Sequence, residues 1–191
     1  MKIDYSKGFT MVLMESTLDC SDFRPLFEQL PGDFLVNPGK WQLREMIKTH
    51  LDRPLIICGH GTPQGVINKD WNGYVLDSND VQVLRQLPCV IGVWCFASEF
   101  ADKYDLKGFF TSMFISTPQE AAMEGFVHAD PDAISAENVL FSVRINSLIK
   151  TQPDVSDWVP RLQRLITRGQ NDPIPPADFV KFNYEALSYF E

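Results

Sequence analysis

His60 and Cys95 are the two residues whose types and placement point to chemistry. His60 follows the apolar run 54–58 (PLIIC), and Cys95 ends the apolar run 89–95 (CVIGVWC). A thiolate is a good nucleophile, but an ordinary thiol with a pKa near 8.5 is mostly protonated at neutral pH. A neighbouring imidazole and a helix N-terminus both favour the thiolate, and an imidazolium can protonate a leaving amine. Together the two residues indicate nucleophilic acyl transfer.

The elements that must position this pair can be read from the hydrophobic pattern. Short apolar runs at 9–14, 33–36, 54–58, 89–95 and 109–116 predict strands. Helices are predicted at 22–30, 38–47, 78–87, 97–104, 118–123, 135–150, 156–168 and 176–190, with a small hairpin within 65–76. All-apolar strands that alternate with helices are typical of a mostly parallel sheet covered on both faces. We therefore expect a three-layer α/β/α sandwich.

Such a sheet would bring the two residues together. Parallel strands end at one edge, where open α/β sheets bind their ligands. Sequential strands are neighbours about two-thirds of the time and lie roughly 4.8 Å apart, so we expect His60 and Cys95 on the order of 5–8 Å apart at Cβ. Gly61 lets the backbone approach closely, and its N–H and that of Cys95 are candidate oxyanion-hole donors.

The stretch 54–121 resembles the core of caspase-like cysteine peptidases, the clan of caspases, separase, legumain, gingipains and bacterial CHAT proteins. The resemblance rests on the strand into His60-Gly61 (LIICGHG), the small hairpin after it, and the strand into Cys95 (VIGVWCFAS). It implies a caspase-like fold, Cys95 as nucleophile, His60 as general base and acid, and Gly61 in the oxyanion hole. The caspase signature Gln-Ala-Cys-X-Gly is absent, since Trp94 precedes Cys95 and Phe96-Ala97 follow it.

The resemblance also suggests where a substrate side chain would lie. In this clan the end of the first strand helps to line the pocket for the residue before the scissile bond. Glu15 lies in that region and Asp19 is nearby. Because a carboxylate pairs with cationic side chains, these residues predict a preference for Lys or Arg.

Other interpretations of these residues remain open. Cys95 is equally well explained as a buried strand cysteine, and His60 as a turn residue. Zinc binding by Cys58, His60 and Cys95 would lack the usual paired spacing. His128, in a loop with Asp130 and Asp132, could join a site or stay solvated. A non-catalytic interaction module and another thiol hydrolase or acyltransferase are the rival functions.

Composition bounds the remaining possibilities. The 191 residues predict one domain, 1–191, with the sheet core in 1–125 and a mainly helical completion in 126–191. A net charge of −8 without a Lys/Arg cluster argues against nucleic acid and anionic membranes as partners. No signal core or membrane-length apolar run is present, and four sparse cysteines favour a cytoplasmic protein.

The expected function follows from these inferences. We expect cysteine-dependent hydrolysis of peptide bonds in a cytosolic protein or peptide substrate, without a metal or organic cofactor. The resemblance further implies that processing or an activating protein partner could control activity.

Overall fold

The central feature of the fold is a six-stranded, mostly parallel sheet. A computed structural model of the chain describes residues 1–15, 20–169 and 177–191, with the side chains of 167–169 excepted. The strands of this sheet are β1 Phe9–Leu13, β2 Gly32–Val36, β3 Leu55–Cys58, β7 Val90–Val93, β8 Gly108–Thr111 and β9 Leu187–Phe190. They lie in the order β2-β1-β3-β7-β8-β9, and only β9 runs antiparallel to its neighbour.

The strands are connected mainly by helices. The α-helices are α1 Lys40–Thr49, α2 Val81–Leu84, α3 Ala97–Lys103, α4 Pro118–Met123, α5 Pro131–Thr151, α6 Trp158–Gly169 and α7 Asp178–Glu185. A 3-10 helix, Cys20–Phe27, stands where a helix over 22–30 was expected, and Pro25 lies within it. Among the described helices, none has the length and apolar character needed to cross a membrane.

Two hydrophobic cores cover the two faces of the sheet. Alternate residues of β1 and β3 point to opposite faces, so Leu13 and Ile56 join one core while Val12 and Ile57 join the other. The first core includes side chains of α5, α6 and α7, and the second includes side chains of α1, α2 and α3. The expectation of an α/β fold with a mostly parallel, doubly covered sheet is confirmed.

The register of β3 and β7 decides where the candidate site lies. These strands pair in parallel, with Cys58 opposite Val93. His60 and Cys95 each follow their paired residue by two positions, so both leave the sheet at the same edge. The prediction that the strands before His60 and Cys95 are neighbours in the sheet is therefore confirmed.

A small second sheet follows His60 directly. It consists of β4 Gly61–Thr62, β5 Gly65–Ile67 and β6 Tyr74–Asp77, paired antiparallel. The predicted hairpin lies here, between β5 and β6. Its connection carries Trp71, an exposed tryptophan in left-handed backbone conformation (φ 57°).

Two expectations for the C-terminal part were wrong in detail. The helix expected to continue to Phe190 ends at Glu185, and β9 follows and pairs with β8. Helix α5 begins at Pro131 rather than near Ser135, because the Asp130 side chain caps it by accepting a hydrogen bond from the amide of Asp132. Residues 126–191 thus contribute an edge strand to the main sheet as well as helices.

Candidate functional site

Cys95 lies in a tightly held turn between β7 and α3. The amide of Trp94 donates to Thr111 Oγ1 (3.1 Å), and the Thr111 hydroxyl donates back to the Trp94 carbonyl (2.7 Å). The amide of Phe96 donates to the Ser112 carbonyl at 3.0 Å. Phe96 itself has a left-handed conformation (φ 65°), which is unusual for a bulky residue. Hydrogen bonds on both sides of Cys95 thus hold its backbone in place.

The thiol of Cys95 is buried and faces oxygen atoms. Its Sγ lies 3.4 Å from the Phe114 carbonyl oxygen and 3.5 Å from Oε1 of Glu120. Only 9% of the residue is exposed. Burial, and then the negative charge of Glu120, raise the pKa of the Cys95 thiol far above its ordinary value. The surroundings described here therefore favour the thiol, whereas the sequence led us to expect the thiolate.

His60 lies near the same carboxylate. Its Nδ1 lies 3.8 Å from Oε1 of Glu120, and its ring centroid lies 5.0 Å from that of Trp71. The Nε2 atom of His60 is buried and has no hydrogen-bond partner in the described structure. The backbone carbonyl of His60 accepts from the amide of Ile67 (2.9 Å), which connects the turn to the small sheet.

Glu120, which the sequence analysis did not single out, lies between the two predicted residues. It occupies the third position of α4 and forms a capping box with Thr117. Its Oε2 accepts hydrogen bonds from the Ser116 amide (2.8 Å), the Ser116 hydroxyl (2.8 Å) and the Thr117 amide (3.0 Å). The sequence Thr117-Pro118-Gln119-Glu120 shows the capping pattern. That pattern does not predict which groups the second carboxylate oxygen contacts.

Gly61, one of the two expected oxyanion-hole residues, packs against Trp94. A Cβ atom at Gly61 would lie 2.1 Å from Cδ1 of Trp94 and 2.8 Å from the Gly65 carbonyl oxygen. Trp94 is buried in the second hydrophobic core, where its ring makes edge contacts with Phe100 and Phe110. Glycine is therefore required at position 61 for close packing.

A small pocket opens beside Cys95 and His60 at the edge of the sheet. Its empty volume is about 290 Å³ when the open solvent at its mouth is included. Its walls are mostly apolar or weakly polar and come from Cys20, Phe23, Cys58, Gly59, His60, Val93, Trp94, Cys95, Phe114 and Ser116. The arrangement places the Cys95 thiol and the His60 imidazole at one pocket, where a hydrogen bond between them would activate the thiol as a nucleophile.

Glu15 lies outside the set of residues that line this pocket. Its carboxylate forms a two-point pair with Arg24, with Nε–Oε1 at 2.7 Å and Nη2–Oε2 at 2.8 Å. Pairing with a substrate Lys or Arg would require displacement of Arg24. Asp19, the other expected substrate contact, lies outside the described residues.

The remaining candidate residues do not join the site. His128 is exposed on the segment before α5 and is not part of the pocket wall. Asp130 serves as the cap of α5. Within the described residues, no group of three or more His, Cys, Asp or Glu side chains is arranged to hold a metal ion. The zinc interpretation of Cys58, His60 and Cys95 thus gains no support.

Comparison with known proteins yields no assignment: no family model matches the chain, and no significant match is found among curated proteins.

Proposed function

We propose that the chain is a caspase-like cysteine hydrolase that cleaves peptide bonds with Cys95 as nucleophile and His60 as base and acid. One observation carries the proposal: Cys95 Sγ and His60 Nδ1 approach the same oxygen of Glu120, at 3.5 and 3.8 Å, beside a pocket at the carboxyl edge of parallel strands. The His-Gly turn after β3 and the small sheet that follows it are the features that the resemblance implies.

The proposed reaction begins with transfer of the Cys95 proton to His60. The thiolate attacks the carbonyl carbon of the peptide, and the amides of Gly61 and Cys95 are the proposed donors to the resulting oxyanion. Breakdown of this intermediate breaks the C–N bond, and the imidazolium of His60 gives its proton to the leaving amine. Water then hydrolyses the thioester, which releases the acid and restores the thiol.

A second candidate function follows from the burial of the thiol. Because Cys95 is buried and its pKa is raised, the described conformation suits a non-catalytic domain that binds a protein partner. In that case Cys95 and His60 would be packing residues. The two candidates differ in whether hydrolysis depends on these side chains.

A library of internally quenched fluorescent peptides separates the two candidates. The hydrolase proposal predicts slow turnover that Cys95→Ala abolishes. Cys89→Ala is the matched control, because Cys89 is a buried thiol just before the other end of β7. His60→Ala should reduce turnover by about 10²-fold or more, whereas the exposed His128 provides a neutral His→Ala control. Turnover that survives Cys95→Ala would overturn the proposal, and so would a complete lack of turnover by both the wild-type protein and a folded Glu120→Gln variant, in which the negative charge beside Sγ is absent.

A further inference from the structure

The two carboxylate oxygens of Glu120 contact different groups. Oε2 is held by the backbone and side chain of Ser116 and by the amide of Thr117. Oε1 faces Cys95 and His60. Three hydrogen bonds on one oxygen restrict the carboxylate, since its departure would leave partly buried donors without this partner. The other oxygen is thereby fixed between the thiol and the imidazole.

This position places the thiol in contact with Glu120 instead of with the base. The Cys95 thiol is within hydrogen-bonding distance of the Phe114 carbonyl and Oε1 of Glu120, while Nε2 of His60 has no partner in the described structure. A carboxylate beside a sulfur atom disfavours the thiolate by like-charge repulsion and accepts a hydrogen bond only from the protonated form. Both effects act against ionisation of Cys95.

We propose that Glu120 is a positioning residue that keeps Cys95 protonated and separate from the His60 base in a resting state of the site. The interpretation as a resting state rests on the proposed function, but the test measures thiol reactivity and does not require catalytic activity. Activation would then require that Oε1 of Glu120 move away from Sγ. The resulting thiolate and imidazolium form the reactive pair.

Glu120→Gln is the variant that isolates this role. The amide of glutamine has nearly the shape of the carboxylate, and Gln is also accepted at the third position of a capping box. Its oxygen can continue to accept from Ser116 and Thr117. The negative charge next to Sγ disappears. Glu124→Gln is the matched control, because Glu124 is an exposed carboxylate at the end of the same helix.

The experiment measures the rate of Cys95 alkylation by iodoacetamide from pH 6 to 10.5, with peptide mapping to separate Cys95 from the other three thiols. Glu120→Gln should lower the midpoint for Cys95 by about one pH unit or more, which means roughly tenfold faster alkylation at pH 8. Glu124→Gln should leave the rate unchanged within twofold. Melting curves establish that each variant is folded, and Glu120→Asp, with its carboxylate withdrawn, should give an intermediate rate.

The inference is overturned if folded Glu120→Gln shows a midpoint equal to or above that of the wild-type protein. If Glu120→Gln does not fold, Glu120→Asp decides by the same criterion. Equal acceleration in Glu124→Gln would also overturn it, because the effect would then be one of net charge. Fast alkylation of Glu120→Gln without any peptide hydrolysis would support the role of Glu120 and count against the hydrolase proposal.

Discussion

Oε1 of Glu120 lies 3.5 Å from Sγ of Cys95, while Oε2 of the same carboxylate caps the start of α4. The stability of a short helix and the ionisation of the candidate nucleophile are therefore linked through one side chain. Replacement of Glu120 should therefore change both the stability of α4 and the reactivity of the thiol.

The first prediction concerns the wild-type thiol. Because burial and Glu120 raise the pKa of Cys95, alkylation of this residue at pH 7 should be slow, with a midpoint above the ordinary value near 8.5. Urea at a concentration that unfolds the protein should bring the rate up to that of a simple thiol. A midpoint below 8 in the native protein would contradict the prediction, because Cys95 would then ionise more easily than an ordinary thiol.

The second prediction concerns the capping residue Thr117. Its side chain accepts a hydrogen bond from the amide of Glu120, so Thr117→Ala should reduce the free energy of unfolding by about 1 kcal/mol. The hydrogen bonds to Oε2 of Glu120 come from Ser116 and from the amide of residue 117, so they remain in this variant and the effect should be on stability. Thr49→Ala is a suitable control, since the exposed Thr49 hydroxyl only donates to the Glu45 carbonyl within α1. Urea denaturation measures the stability, and an unchanged unfolding midpoint in Thr117→Ala would contradict the prediction.

The third prediction concerns the close packing at Gly61. Alanine there would place Cβ 2.1 Å from Cδ1 of Trp94, so the β3–β4 turn or the indole must shift. We expect a destabilisation of about 1–3 kcal/mol, in the range for overpacked sites. Gly39→Ala is the comparison, because a Cβ at Gly39 has no neighbour within 4 Å. Equal unfolding midpoints for the two variants would refute this account of Gly61.

The fourth prediction concerns stability at high pH. Burial raises the pKa of Cys89 to about 12, whereas the same thiol ionises near 8.5 in the unfolded chain. The unfolded state therefore releases this proton first as the pH rises. The contribution of Cys89 is fully present below about pH 8.5 and is lost between there and pH 12, at up to about 1.4 kcal/mol per pH unit.

Urea denaturation at pH 8 and pH 9.5, in the presence of a reducing agent, checks this prediction. Cys89→Ala should lose less stability between the two pH values than the wild-type protein does. The remaining loss in the variant is expected, because burial also raises the pKa of Cys58. An identical loss in both proteins would mean that Cys89 does not titrate differently in the folded and unfolded states.

Much of this arrangement could be predicted from local sequence, and the reasons are physical. The apolar runs before His60 and Cys95 are long enough and flanked by clear breakers, so they predict buried parallel strands with a shared edge. The pairing of β3 with β7 then follows from the preference for neighbouring strands. Local pattern was sufficient for these two residues because each lies directly after its strand.

The position of Glu120 and the formation of β9 could not be predicted, because both depend on tertiary contacts that the local sequence pattern does not show. Glu120 reaches the site only because β8 pairs with β7 and the loop after β8 returns α4 to the same edge. Strand β9 forms because β8 offers it a free edge, whereas the short run 187–190 looks like the end of the preceding helix. The pairing of Glu15 with Arg24 likewise depends on how the 3-10 helix lies beside β1.

The most direct test of whether Cys95 and His60 form a nucleophilic pair is a single-turnover reaction with activated 4-nitrophenyl esters of short peptides. The acylated residue is then identified by peptide mapping. We expect one equivalent of nitrophenolate per protein, a thioester on Cys95, and acylation slowed by about 10²-fold or more in His60→Ala. Absence of a thioester on Cys95, or a rate that does not change when His60 is replaced, would contradict the claim that these two residues form a nucleophilic pair.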